Sequence, residues 1–195
     1  MTVLDDRIEM ADSGDELTLD KMFEWLEEMP VPEGYKTEIV GGHIFMAPQR
    51  GTHWRITFGI LEQLRSHYPL ERLLSDVRID YPGRLNGLAS DVVALAEGAE
   101  EDDKGRWHYK DVEFVAEVIS GKTAGNDYGP KKDAYAAAGV PVYLIVNPYT
   151  GEWRLHTLPR SGKYHAVVSL DFGDEIDLTG TVVGLVLKTD KFPRD

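Results

Sequence analysis

Residues 113–148 read EFVAEVISGKTAGNDYGPKKDAYAAAGVPVYLIVNP. Glu113–Ile119 and Val142–Val146 are apolar on both faces of an extended chain. That pattern suits strands in a sheet covered on both sides. The stretch from about Asp127 to Ala138 between them reads as a helix closed by Gly139. A second doubly apolar run, DVVALA at Asp91–Ala96, reads as another buried strand.

Upstream, Thr18 caps a helix in which Leu19, Met22, Phe23, Leu26 and Met29 recur at helical spacing. Pro30 and Pro32 end it. Tyr35–Val40 and His43–Ala47 are extended runs, and Gly41-Gly42 between them reads as a two-residue hairpin turn. Trp54, Phe58, Leu61, Leu64, Arg65 and Tyr68 mark a second helix ending before Pro69. Leu73–Asp80 reads as one strand, with Pro82-Gly83 after it. Trp153–Leu158 and Tyr164–Ser169 form an antiparallel tail to the sheet. The expected fold class is a mixed α/β or α+β single domain over residues 17–195. Residues 1–16 show no periodicity and read as a loose acidic tail.

The chain of 195 residues is 42% hydrophobic, enough for a sizeable core. It has no cysteine, which excludes a disulfide framework, a thiolate metal site and a cysteine nucleophile. A reducing, cytoplasmic setting is the expected localisation. No apolar run approaches the ~20 residues of a membrane span, and the acidic N-terminus does not read as a secretory signal. The net charge is −13. Residues 1–34 hold eleven acids against Arg7 and Lys21, and residues 97–103 hold five acids and no base. The remainder sums to +1, so the core is compatible with a locally basic cleft. A tight, non-specific nucleic-acid binder is not expected.

Several motifs fail. Gly121-Lys122-Thr123 resembles the end of a phosphate-binding loop, but Ala116 stands where that pattern needs glycine. No two histidines have metal-ligand spacing, and His53 reads as a cap or surface group, with catalysis as the rival reading. What survives is a pair of carboxylates at buried strands, Asp91 and Glu117. An ionised carboxylate is costly to bury unless it is paired or holds a metal. Lys131 shares a helix face with Tyr135, whereas Lys132 turns toward solvent. Two carboxylates and an ammonium are a kit for Mg²⁺-assisted phosphodiester hydrolysis. The same residues also read as a buried Glu117–Lys131 ion pair with Asp91 capping a strand.

LTLDKMFEWLEEMP, YKTEIVGGHIFMAP, SDVVAL and the long run from Ala116 to Pro148 together resemble the Uma2 family of bacterial restriction-endonuclease-like proteins. This is a branch of the PD-(D/E)XK nuclease superfamily. The resemblance covers nearly the whole domain from about Leu17. It implies a restriction-endonuclease-like core, with a central mixed sheet flanked by helices. It also implies an endonuclease that uses Mg²⁺ (or Mn²⁺) on double-stranded DNA and pairs as a homodimer, while the charge balance makes weak binding the expectation. Asp91 and Glu117 are similar to the motif carboxylates, with the Val118 carbonyl as a further metal ligand. Lys131 is similar to a lysine supplied from the following helix, and Glu38 to an acidic residue of the N-terminal part. Asp127 matches an acidic family position and reads as a helix cap. Ser90 replaces the usual proline. Ile119 replaces the usual lysine, leaving Lys131 or Lys122 to take its place. The rival reading is a catalytically degenerate, nuclease-fold binding or regulatory module.

Overall fold

The computed structural model describes residues 17–121 and 123–195, with the backbone of residues 7–8. The expected acidic tail otherwise lies outside the described residues, as does Lys122. The strands and helices follow in chain order. They are β1 (Arg7–Ile8), α1 (Leu19–Glu28), β2 (Tyr35–Val40), β3 (His43–Pro48) and α2 (Gly51–Leu64). Next come β4 (Leu73–Leu74), β5 (Ile79–Tyr81), β6 (Asn86–Leu88), β7 (Val92–Leu95), β8 (Trp107–His108) and β9 (Val112–Val118). After β9 the chain forms α3 (Ala124–Asn126), a wide turn over Asp127–Lys131 and α4 (Lys132–Ala138). The chain closes with β10 (Val142–Asn147), β11 (Glu152–Arg160), β12 (Lys163–Asp171), β13 (Ile176–Asp177) and β14 (Val186–Leu187).

Two six-stranded sheets carry the fold. One has the order β1-β3-β2-β6-β5-β8 and the other β12-β11-β10-β9-β7-β4. The second is the expected mixed sheet: β9 and β10 are parallel, and its other pairs are antiparallel. From Phe114 onward the two faces of β9 alternate in sequence, after a register irregularity opposite Val112. Phe114, Ala116 and Val118 face α2 and the C-terminal segment, in a core with Ile56, Ile60 and Leu187. Val115 and Ile119 face the other way, in a core with Val40 and Leu88 from the first sheet and Tyr135 from α4. A third cluster packs Met22 and Leu26 of α1 against Ile39 and Ile44 of the hairpin. The layers are thus α1, first sheet, second sheet, α2.

Local chemistry explains the boundaries. Thr18 accepts the Lys21 N–H at the start of α1, as its cap position predicts. Gly41 and Gly42 both have positive φ, 62° and 82°, which the two-residue hairpin turn requires. Three expectations are corrected. Leu73–Asp80 is not one strand, because the chain breaks between β4 and β5, where Asp76 takes a left-handed φ of 57°. On α2 the buried residues include His53, Ile56, Ile60 and Leu64, while Trp54 and Phe58 are exposed and stack on each other. The apolar stripe that marked the helix was therefore partly its outer face. Nor is 127–138 a regular helix. Gly129 is non-helical there (φ −118°, ψ −105°), next to Pro130, and regular α-helix starts only at Lys132.

Candidate active site

Period-two alternation places the site. Val92 pairs with Ala116 across the antiparallel β7–β9 ladder. Continuing that register by one residue sets Asp91 opposite Glu117, on the face shared by Val93, Val115 and Ile119. Both carboxylates are buried, at 2% exposure. Like charges facing each other across two strands destabilise a sheet unless something lies between them. That something is the Lys36 ammonium of β2. Its Nζ lies 2.5 Å from Asp91 Oδ1 and 3.8 Å from Glu117 Oε2. It also lies 3.4 Å from Asp76 Oδ1, at the rim.

Glu38 follows Lys36 by two residues and shares its face of β2. Its Oε1 accepts the Ala89 N–H at 3.0 Å. Lys131 reaches in from the far side. Its Nζ lies 2.9 Å from Glu38 Oε2, 2.8 Å from Glu117 Oε1 and 3.1 Å from Asp127 Oδ1. The Lys131 side chain is 3% exposed and that of Lys132 is 31% exposed, as the helix geometry predicted. Asp127 ends α3 through its backbone, but its carboxylate caps no helix N-terminus and instead points inward onto Lys131. Tyr135 donates its hydroxyl proton to Glu117 Oε1 at 2.6 Å, and Ser90 Oγ lies 2.8 Å from the same hydroxyl.

Asp91 Oδ2 accepts the Val118 N–H at 2.7 Å and lies 3.0 Å from His53 Nε2. His53 is thus a buried partner of Asp91 rather than a surface group. An ionised carboxylate only accepts, so Nε2 carries the proton. In a strand the N–H and C=O of one residue point to the same edge, so the Val118 carbonyl also faces the Asp91 side. Ile119, where the resemblance led one to expect lysine, is 2% exposed and packs with Tyr135 and Ile145. No ammonium reaches the site from that position.

Electrostatics follow from burial and pairing. Burial pushes the Glu117 carboxyl up to about 8, against the lowering pull of Lys131 and Lys36. Burial would also raise Asp91, but the Lys36 charge and the His53 hydrogen bond hold it well below the usual carboxylate range. Burial raises Asp127 as well. Both lysines stay above the usual ammonium value, because the carboxylates around them outweigh burial.

Four carboxylates (Glu38, Asp91, Glu117, Asp127) face two ammoniums, so the cluster when ionised is two charges short of neutral. The cleft is therefore acidic, not basic. It encloses about 20 Å³ lined by Lys36, Asp91, Glu117, Val118 and Lys131 among others. That volume admits one water-sized occupant. Oxygen donors, a deficit of two charges and room for one small occupant fit a hard divalent cation. Among the described residues no three acidic or imidazole side chains are already gathered as metal ligands, since ammoniums hold the carboxylate oxygens. Sequence reasoning missed Lys36, His53 and Tyr135. The Lys36–Glu38 spacing on a strand was the available signal for the first.

Beside this cleft lies a larger one of about 280 Å³. It is lined by Tyr35, Arg50 and Tyr149 with Ala47, Ser120 and Thr123, and among the described residues no acidic side chain lines it. No helix among the described residues is long and apolar enough to cross a membrane.

No curated protein sequence matches the chain. Among solved structures, it is similar to a protein from Anabaena variabilis ATCC 29413 described as a "putative nuclease belonging to DUF820". The two are 14% identical, with a TM-score of 0.69 over 90% of this chain and 97% of that one, a likeness of fold. The family model described as "Uma2: Putative restriction endonuclease" matches residues 23–190. Its span includes every residue of the cleft, and the chain belongs to the Uma2 family.

Proposed function

We propose that this protein is a divalent-cation-dependent endonuclease that hydrolyses DNA phosphodiester bonds. The observation that carries the reading is Asp91 opposite Glu117, at a cleft sized for one ion. Asp91, Glu117 and the Val118 carbonyl would hold Mg²⁺ or Mn²⁺. Such a cation, when bound, lowers the pKa of water and offsets charge on a phosphoryl group. His53 and the Val118 N–H fix Asp91 in place through its Oδ2. Lys131 draws Glu38, Glu117 and Asp127 together. It is the ammonium positioned to orient a water among them, and Glu38 supports that water or a second cation. The cleft at Tyr35, Arg50 and Tyr149, free of acidic side chains among the described residues, suits a nucleic-acid strand, with aromatic rings for bases and a guanidinium for phosphate.

A homodimer belongs to this reading, because cutting both strands takes two sites. The edge strand β12 supports it with exposed Val167, Val168 and Leu170. Light scattering reads the mass against 21.9 kDa for one chain.

The test is nicking of supercoiled plasmid with Mg²⁺ or Mn²⁺, comparing wild type with Asp91→Asn and Glu117→Gln. The expected loss is about 10²-fold or more in each variant. Equal rates in all three proteins would remove the assignment. Two observations favour a non-catalytic binding module instead. Lys36 already occupies the gap between the two carboxylates, and Ile119 fills the usual lysine position. That reading predicts no binding of divalent cation at Asp91.

A further inference from the structure

We infer that Lys36 is a displaceable counterion with two seats. In the first, its ammonium bridges Asp91 and Glu117. In the second it moves onto Asp76, when a divalent cation enters between those carboxylates. The inference rests on the cation site proposed above.

The geometry supplies both seats. Lys36 Nζ is within reach of Asp91 (2.5 Å) and Glu117 (3.8 Å), so it stands between the oxygens a cation would need. An ammonium and a divalent cation cannot share that point. Asp76 Oδ1 is already 3.4 Å from Nζ, so rotation about the end of the lysine stem completes the transfer. The Asp76 carboxylate is 49% exposed and opens toward solvent, whereas Asp91 and Glu117 are sealed.

Asp76 is held for this role. It has a left-handed φ of 57°, which costs a non-glycine residue energy, and its N–H donates to the Ser90 carbonyl at 3.0 Å. The bent loop between β4 and β5 is thereby pinned one residue from Asp91. Lys131 cannot act as the mobile group. Three carboxylates grip it within 3.1 Å, and none of them lies at the rim.

Charge balance permits the exchange. With Lys36 on Asp76, the four carboxylates face Lys131 alone, a deficit of three charges when ionised, and a divalent cation reduces it to one. Without the cation, Lys36 in its first seat keeps Asp91 and Glu117 aligned. The fold therefore forms before metal arrives, and the metal must compete with a tethered ammonium. This makes Lys36 and Asp76 positioning residues that set cation affinity.

The experiment is Mn²⁺ binding to the full chain without nucleic acid, followed by loss of the free-ion electron paramagnetic resonance signal. Lys36→Met, unbranched and close in length, is expected to bind Mn²⁺ about tenfold more tightly than wild type. Asp76→Asn is expected to bind roughly threefold to tenfold more weakly, and to have no effect in the Lys36→Met background. An Asp76 carboxylate that merely ligated or attracted the ion would weaken binding in both backgrounds, and that result overturns the exchange. Equal affinity in wild type and Lys36→Met also overturns it, while leaving the cation site intact. Binding in none of the proteins, Asp91→Asn included, overturns both. Should Lys36→Met fail to fold, Asp76→Asn, altered at an exposed carboxylate, keeps the exchange falsifiable: unchanged affinity sinks it.

Discussion

His53 Nε2 lies 3.0 Å from Asp91 Oδ2, the oxygen that also accepts the Val118 N–H at 2.7 Å. One carboxylate oxygen is thus fixed by a helix side chain and a strand amide, which leaves Oδ1 to face Lys36 and the cleft. Removing the imidazole takes away one of these supports and leaves a small void at a buried site. His53→Ala is expected to cost about 1–3 kcal/mol in urea unfolding. Unchanged stability would mean that the imidazole does not hold Asp91.

Lys131 and Lys132 are neighbours with opposite fates. Lys131→Met leaves Glu38, Glu117 and Asp127 facing one another without the ammonium that joins all three. The expected loss is about 3–5 kcal/mol. Lys132→Ala, at a partly exposed site beside Asp133, is expected to stay within about 0.5 kcal/mol of wild type. Denaturant titration of both variants checks the contrast, and similar losses in the two would contradict it.

The raised Glu117 carboxyl gives stability a pH slope. Its value of about 8 in the fold lies above the 4.5 of an unperturbed glutamate. Between those two values the folded state holds more protons than the unfolded state. Its contribution is therefore complete below about pH 4.5 and is lost as pH rises through about 8. Asp127 is raised and acts in the same direction. Asp91 is depressed and acts oppositely, its contribution vanishing only as pH falls below the usual carboxylate range. The Tm is expected to fall from pH 5 to pH 8. Glu117→Gln, which mimics the protonated carboxyl, is expected to flatten that slope, and an identical slope in the variant would assign it to other groups.

Divalent cation should stabilise the fold through the same cleft. At a hundredfold excess over its Kd, Mg²⁺ or Mn²⁺ is expected to add about 2.7 kcal/mol. For a chain of this length that raises Tm by roughly 5–10 °C. Excess EDTA should reverse the rise, and Asp91→Asn should abolish it. Scanning calorimetry reads all three, and a rise that survives in Asp91→Asn would place the ion elsewhere.

Much of this was legible in the sequence, because strand and helix periods are local. The apolar runs at 91–96, 113–119 and 142–146 specified the buried strands of the mixed sheet, and Gly41-Gly42 specified the hairpin. Helix geometry set Lys131 inward and Lys132 outward, and the sequence singled out Asp91 and Glu117 as carboxylates at buried strands, while the β7–β9 register set them opposite each other. The tertiary structure alone decided what meets them there. Lys36 lies 55 residues from Asp91 along the chain, and His53 lies 38 residues away. Their contacts depend on how the first sheet and α2 pack over the second sheet, which no local pattern encodes. Packing also chose the inner face of α2 and bent Asp127 inward. Spacing along the chain identifies which groups one element presents, but charge neutralisation in a buried cleft is settled between elements.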